Sequence, residues 1–286
     1  MKRILVGVDG SDEAKAAVRM AVALAPALRA TVQLAHVDAA ESPWSIPTLL
    51  LGPAGHRQWT ELLEATAREA ASPNVEISIR ILSGSAGAAL AEATREPEIC
   101  LLVVGSRGAG RAERVLLGSS ADRALQQSEK PVLVVKGDSA PPAKGNRILA
   151  GVDGSAESYA AVRFAADLAE ATGASLRACC VLERRAPAAI DPYALSTQSQ
   201  PDIEQSAWAT ARLREVVMRE KRPSLVIDTS MPVGPPAEVL AELSLQDDVA
   251  LIVVGHRGRG GVARFFLGST ADRLAQIAPK PVLIVP

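Results

Sequence analysis

Two short glycine-rich segments recur in this sequence at a spacing suited to phosphate binding. Gly105-Ser106-Arg107-Gly108 is followed, after nine residues, by Gly118-Ser119-Ser120. The same spacing separates Gly255-His256-Arg257-Gly258 from Gly268-Ser269-Thr270. Glycines let backbone amides approach an anion closely and can adopt positive φ, and a helix N-terminus adds unpaired N–H groups and a positive dipole end. One such segment has many uses, but its recurrence favours a phosphate site in each half.

Four arginines accompany these segments and could bind phosphate through their guanidinium groups. Arg107 and Arg257 lie between the first two glycines of each copy, and Arg114 and Arg264 lie in the stretch before the third glycine. The alternative is that both segments are flexible strand–helix connections, where Gly and Ser are common. The matching positions in both copies favour the functional interpretation.

A carboxylate ends the first apolar run of each copy, at Asp9 and Asp153. Such a carboxylate can accept hydrogen bonds from a ribose hydroxyl or an adenine amino group. The alternative is that it caps the helix that follows. Val37 and Val181 end the second apolar run, where they would flank a base, although by themselves they cannot be told from core valines.

The elements that must position these residues alternate between short apolar runs and helical patterns. In the first copy the predicted strands are 3–8, 31–37, 75–82, 99–104 and 132–136, and the predicted helices are 12–28, 56–71, 86–95 and 119–128. Strands that are apolar at consecutive positions are covered on both faces. Repeated strand–helix–strand units of this kind predict an α/β fold with doubly wound, five-stranded parallel sheets in the order 3-2-1-4-5. Ligands bind such sheets beyond the carboxyl ends of the strands, at the switch point, which is where the candidate residues lie.

The sequence contains two copies of one unit. Residues 4–11 return as 148–155, an offset of 144, whereas residues 117–123 return as 267–273, an offset of 150. The second copy therefore carries six extra residues between its second and fourth strands. So long a period indicates tandem globular domains rather than a solenoid. The expected units are domain 1 at 1–136, a Gly- and Pro-rich linker at 137–146 and domain 2 at 147–286.

Composition and missing motifs exclude several classes of protein. Basic and acidic residues number 31 and 32, which excludes an electrostatically driven nucleic-acid binder and a polybasic membrane-surface protein. No apolar run approaches the roughly 18 residues of a membrane span. The P-loop, dinucleotide and nucleophile-elbow patterns are all missing. His36 is interpreted as structural, whereas His256 stands where it could touch a phosphate. No nucleophile with an oriented base is evident, which makes an enzyme less favoured.

These residues resemble the universal stress protein family in its tandem two-domain form. The ATP-binding signature of that family, Gly-x-x-Gly, nine residues, then Gly-Ser/Thr, is matched once in each half. The opening residues 6–11 and the closing residues 130–135 also look like the family. The resemblance implies a Rossmann-like, adenine-nucleotide alpha-hydrolase-like fold and a cytoplasmic regulator of the bacterial stress response with one ATP per domain. Two alternatives stay open: a slow ATPase that uses the same pocket, and an interaction scaffold whose nucleotide sites are vestigial.

The resemblance also implies roles for individual residues. Asp9 and Val37 would contact adenosine, and loop 105–120 would hold the phosphates of ATP, with Mg²⁺ as a candidate companion. Gly7 and Val8 belong to the same nucleotide-binding set. In the second half the corresponding set is Gly151, Val152, Asp153, Val181 and loop 255–270. The family commonly places a hydroxyl where this chain has Ala121 and Ala271, so Ser120 and Thr270 would have to compensate.

The fifth strand of each copy, 132–135 and 282–285, is apolar and would lie at a sheet edge. An exposed apolar edge strand invites pairing with another strand. We therefore predict that the two edges associate, antiparallel, about an internal pseudo-twofold axis. The ten-residue linker reaches up to roughly 33–36 Å when extended, which leaves room for this arrangement. Homodimerisation through other faces is also expected.

Overall fold

A computed structural model describes residues 1–38, 52–108, 117–137, 139–183, 203–258 and 267–286. The first half contains β1 (Lys2–Gly7), α1 (Asp12–Leu28), β2 (Ala30–Asp38), α2 (Gly52–Glu69), β3 (Ile77–Ser83), α3 (Ala86–Ala93), β4 (Ile99–Gly105), α4 (Ser119–Gln127) and β5 (Val132–Val135). The second half contains β6 (Arg147–Gly151), α5 (Ala156–Thr172), β7 (Ser175–Cys179), α6 (Ile203–Arg219), β8 (Ile227–Ser230), α7 (Pro236–Leu243), β9 (Val249–Gly255), α8 (Ser269–Ile277) and β10 (Val282–Val285). None of the helices in these ranges is long and apolar enough to cross a membrane.

The strands form one ten-stranded sheet in the order β3-β2-β1-β4-β5-β10-β9-β6-β7-β8. Within each half the strands are parallel, in the predicted order 3-2-1-4-5. The halves meet at β5 and β10, which pair antiparallel with Leu133 opposite Leu283. The predicted association of the two edge strands is therefore confirmed. Both strands are buried at all four positions, because pairing removes their only open edges from water.

Helices cover both faces of this sheet and bury two apolar layers. One layer packs α1, α2, α5 and α6 against the sheet, and the other packs α3, α4, α7 and α8. Consecutive residues of β5 enter opposite layers, Leu133 the first and Val134 the second. That alternation explains why the strands read as continuous apolar runs. Each layer contains residues of both halves, so the core continues across the β5–β10 seam.

The element bounds follow the predictions with small differences. Helix α1 has its predicted range, whereas α2 begins at residue 52 rather than 56. Strand β3 begins at Ile77 rather than 75, because Val75 forms an isolated bridge with Ser72 in a turn. Val32 pairs with Ile77, and the repeat partner of Val32, Leu176, pairs with Ile227. The offset thus changes from 144 to 150 between β7 and β8, inside the predicted interval. The division into domains 1–136 and 147–286 stays a prediction.

Candidate functional site

Two cavities lie at the carboxyl ends of the parallel strands, one in each half, with volumes of about 400 Å³ and 610 Å³. Every member of the two predicted nucleotide-binding sets within the described ranges lines one of them. The first cavity is lined by Gly7, Val8, Asp9, Val37, Gly105, Arg107, Gly108, Gly118, Ser119 and Ser120. The second is lined by Gly151, Val152, Asp153, Val181, Gly255, Arg257, Gly258, Gly268, Ser269 and Thr270. Arg114 and Arg264 lie outside the described residues.

The carboxylate at the end of β1 organises the start of α1. Asp9 Oδ1 accepts hydrogen bonds from the Ser11 amide at 3.0 Å and from the Ser11 hydroxyl at 2.6 Å. Ser11 Oγ in turn accepts the Ala14 amide at 3.1 Å and is the N-cap of α1. The alternative that Asp9 itself caps the helix is therefore wrong, because the aspartate positions the capping serine. Asp153 and Ser155 repeat the arrangement at α5.

The second glycine of each phosphate segment lies against that same carboxylate. A Cβ atom on Gly108 would lie 2.6 Å from Asp9 Oδ2, and one on Gly258 would lie 2.6 Å from Asp153 Oδ2. Side-chain Cβ atoms do not approach other atoms so closely, so only glycine fits here without a shift of the loop or the aspartate. This contact joins the end of β1 to the loop after β4 across the switch point.

The first glycine of the segment is required by helix packing. A Cβ on Gly105 would lie 2.9 Å from Glu13 Cβ, because α1 passes directly over the end of β4. Neither Gly105, Gly108 nor Gly118 has a positive φ. The left-handed conformation that glycine permits is therefore not used at these three positions. Gly105 and Gly108 are needed for close approach, whereas the left-handed turn position belongs to Gly10, with φ 86°.

The N-termini of α4 and α8 face these loops without a side-chain cap. The Gly118 amide donates to Ser106 O at 2.8 Å, and the first helical bond runs from the Asp122 amide to Gly118 O. The N–H groups of residues 119–121 therefore precede the helical ladder and belong to the unsatisfied donors of a helix start. With the positive end of the helix dipole, they form the arrangement that binds phosphate in other folds.

The arginines of the segments are held by carboxylates of the first helix of each half. Arg107 Nη2 lies 3.0 Å from Glu13 Oε1, and Arg257 Nη1 lies 4.0 Å from Glu157 Oε1. These ion pairs were not foreseen from the sequence, because the partners are far apart in the chain. A phosphate would reach either guanidinium only by sharing it with, or drawing it from, its glutamate.

Side chains beyond the predicted nucleotide-binding sets also line the cavities. His36 lines the first cavity, donates from Nδ1 to Val8 O at 2.8 Å and stacks on Trp59 with ring centroids 3.8 Å apart. Its interpretation as a satisfied structural histidine is confirmed by this bond. In the second half Cys180 stands at the repeat position, and Trp208 packs over Gly154. The chain has only three tryptophans, and the placement of Trp59 in α2 and Trp208 in α6 was the available signal.

His256 departs from its sequence-based interpretation. Its side chain is buried and is not among the groups that line the second cavity. Instead Nε2 lies 3.1 Å from Leu125 O, in the first half of the chain. A carbonyl only accepts hydrogen bonds, so Nε2 carries the proton. Burial lowers the pKa of this imidazole below its ordinary value, which keeps the ring neutral. The structure therefore does not support a phosphate contact for His256.

Fold and clefts together define a tandem, doubly wound α/β protein with one candidate site in each half. The family model described as universal stress protein family matches residues 1–136 and 145–286. The chain belongs to this family, as the resemblance of its motifs implied.

Relatives cover nearly the whole chain. A universal stress protein of Mycolicibacterium smegmatis is 33% identical, over 99% of this chain and 96% of the relative. Universal stress protein Rv2623 of Mycobacterium tuberculosis is 28% identical, over 98% and 95%. The crystal structure of a universal stress protein from Archaeoglobus fulgidus has a TM-score of 0.76 at 19% identity, over 99% of this chain and 97% of that one. The likeness to that structure shows a common fold.

Proposed function

We propose that this universal stress protein binds ATP in both cavities and does not turn it over rapidly. The observation that carries the proposal is the repeated juxtaposition of an aspartate, two closely packed glycine segments and an uncapped helix N-terminus around each cavity. An adenine nucleotide suits this set, because it offers hydroxyl and amino donors at one end and phosphate acceptors at the other.

The residues divide by chemistry along each cavity. In the first, Val8, Val37 and the carboxylate of Asp9 would hold adenosine, and the N–H groups at the start of α4 would hold the phosphates. Volumes of about 400 Å³ and 610 Å³ fall within the range of ordinary small-molecule sites. In the described parts of the chain, no three His, Cys, Asp or Glu residues are grouped to hold a metal ion. Any Mg²⁺ would therefore be bound mainly through the phosphates and water.

Slow turnover is proposed because the carboxylates nearest the phosphate loops are already engaged in hydrogen bonds or ion pairs within the protein. Asp9 and Asp153 each use Oδ1 to hold a capping serine, and Glu13 pairs with Arg107. A general base must lie within hydrogen-bond reach of the proton it removes and be available to take it. Bound nucleotide would then act as a signal rather than as a substrate.

Three measurements test the proposal on the full chain. Nucleotide released by denaturing the purified protein identifies the natural ligand, and calorimetric titration with ATP measures the number of sites. Gly118→Leu and Gly268→Leu should each remove one site, because both glycines have ordinary backbone angles and a large side chain would fill the space between the glycine segments. Absence of ATP binding contradicts the proposal and favours a scaffold with vestigial sites. Phosphate release faster than roughly 1 per second, the low end of ordinary enzymes, favours an ATPase.

Homodimerisation, the cytoplasmic location and the role in a bacterial stress response stay predictions. Light scattering of the intact chain tests the first directly. A mass equal to one chain of 29.8 kDa would contradict the homodimer and leave the internal pairing of the halves as the whole assembly.

A further inference from the structure

One side chain from each half crosses the β5–β10 seam and forms a hydrogen bond with a helix of the other half. His256 Nε2, in the second half, donates to Leu125 O at 3.1 Å. Lys136 Nζ, in the first half, donates to Gln276 O at 3.1 Å. The two contacts are reciprocal, yet they use different residue types at positions that do not correspond in the repeat.

Both donors are close to the phosphate segment of their own half. His256 lies within the second segment and directly precedes Arg257. Lys136 directly follows β5, whose partner β4 leads into the first segment. Burial and repulsion from Arg107 lower the pKa of Lys136 to about 8, so that arginine and the lysine ammonium influence each other electrostatically.

Both acceptors lie in the last turn of a helix that starts at a phosphate segment. Leu125 belongs to α4 and Gln276 to α8, and each helix has nine residues. The last four carbonyls of a helix have no partner within it, so these bonds satisfy groups that the helices leave open. A nine-residue helix is a rigid rod of roughly 13 Å. Its C-terminal contact with one half is thus connected mechanically to the phosphate segment at its N-terminus.

We infer that the two cavities are coupled across the seam, so that ATP bound in one raises the affinity of the other through His256 and Lys136. This inference rests on the proposed function, since it concerns regulation of the same two sites. Coupling requires that a ligand interact differently with two states of the protein. Here the two states would differ in the strength of two hydrogen bonds: the one from His256 to α4 and the one from Lys136 to α8.

The first direction of coupling is electrostatic. Phosphate bound beside Arg107 would offset the positive charge that this arginine presents to Lys136, and the ammonium of Lys136 would become more stable. Its bond to Gln276 O would strengthen and hold α8 in place. The N-terminus of α8 lines the second cavity through Ser269 and Thr270, so the second phosphate site would be ordered before its ligand arrives.

The second direction is through the chain itself. Phosphate that draws Arg257 from Glu157, now 4.0 Å away, would fix the segment that contains His256. A fixed His256 holds α4 by its C-terminal carbonyl, and α4 lines the first cavity through Ser119 and Ser120. His256 Nδ1 is buried without a hydrogen-bond partner among the described residues. The ring therefore depends on the Leu125 bond for its orientation.

Calorimetric titration of the full chain with ATP tests the coupling. The affinity of each site is measured alone in Gly118→Leu and Gly268→Leu, and those values are compared with the two binding steps of the unaltered chain. We expect the second step to be about fivefold tighter than independent sites allow, the low end of typical allosteric coupling. The double variant His256→Ser, Lys136→Met should bind in two independent steps. Serine is the natural residue at the repeat position, Ser106.

Two controls separate coupling from general damage. Lys280→Met removes a lysine that lines the same groove as Lys136 and should leave the coupling intact. The single variant His256→Gln keeps Lys136 and can still donate to Leu125 O. It should therefore show the coupling that the double variant lacks. Independent binding steps in the unaltered chain, or coupling that persists in the double variant, overturns the inference while leaving two-site ATP binding in place. Absence of ATP binding at both sites overturns the proposed function and the coupling together.

Discussion

The Oδ2 atom of Asp9 lies 2.6 Å from the point that a Cβ atom on Gly108 would occupy. This contact brings the end of β1 against the loop that follows β4, and Asp153 repeats it with Gly258 in the second half. Because the aspartate also holds the N-cap serine of α1, one side chain sets the relative positions of a strand end, a helix start and a glycine loop. The cavity of each half is built around that side chain.

Replacing Gly108 by alanine should damage the first cavity alone. The added Cβ must displace the loop or Asp9, and overpacking of this kind costs about 1–3 kcal/mol. We expect urea denaturation to show that loss and ATP titration to lose one of its two sites. Gly258→Ala is the matched variant and should remove the other site. If Gly108→Ala weakens ATP binding at both sites equally, the two cavities do not bind ATP as separate sites, and the proposal of one site per half is wrong.

Replacing Asp9 by alanine should weaken both ATP binding and the fold. Loss of a carboxylate that accepts a ligand hydrogen bond costs roughly 1–3 kcal/mol of affinity. Ser11→Ala is the control, since it removes the N-cap of α1, at about 1 kcal/mol of stability, and keeps the carboxylate. We expect a lower melting temperature in both variants and weaker ATP binding in Asp9→Ala only. Unchanged affinity in Asp9→Ala would mean that the carboxylate serves the cap and nothing else.

Proline at position 134 should open the seam between the halves. The carbonyls of Pro131 and Val135 accept bonds from Leu102 in β4 and from Ser106 just after it. The N–H of Val134, on the alternate side, therefore points towards β10. Proline lacks that donor, whereas Val134→Thr keeps it at similar size. Small-angle scattering should give a larger radius of gyration for the proline variant only. An unchanged scattering curve would show that core packing alone holds the halves together.

Lys136 should make stability depend on pH in an alkaline window. Burial first, and then repulsion from Arg107, lowers the pKa of Lys136 from 10.5 to about 8; Asp247 and Lys280 line the same groove. Between pH 8 and 10.5 the unfolded chain therefore binds more protons at this site than the folded chain, so stability rises with pH. Urea denaturation should show the unaltered chain gaining stability relative to Lys136→Met across this window. A constant difference between the two proteins would exclude the shift.

Sequence alone determined the doubly wound halves and the residues that surround the cavities. Consecutive apolar positions in β1 and β4 predict helices on both faces, and right-handed crossovers then leave few topologies, among them the expected order 3-2-1-4-5. The duplicated glycine spacing marked the loops at the switch point, and every described member of the predicted set lines a cavity. The apolar edge strands β5 and β10 likewise required a partner, and each was the partner available to the other.

Tertiary structure decided which groups meet within those cavities and across the seam. Arg107 and Glu13, Asp9 and Gly108, and His256 and Leu125 are each brought together by packing between elements far apart in the chain. Periodicity reports which face of an element is buried, but not the direction of a long side chain or the partner it reaches. A local pattern placed His256 beside a phosphate, whereas the antiparallel pairing of β5 with β10 brought the C-terminal turn of α4 within reach of its ring. The contact between His256 and Leu125 depends on the relative position of the two halves, which no local stretch of sequence encodes.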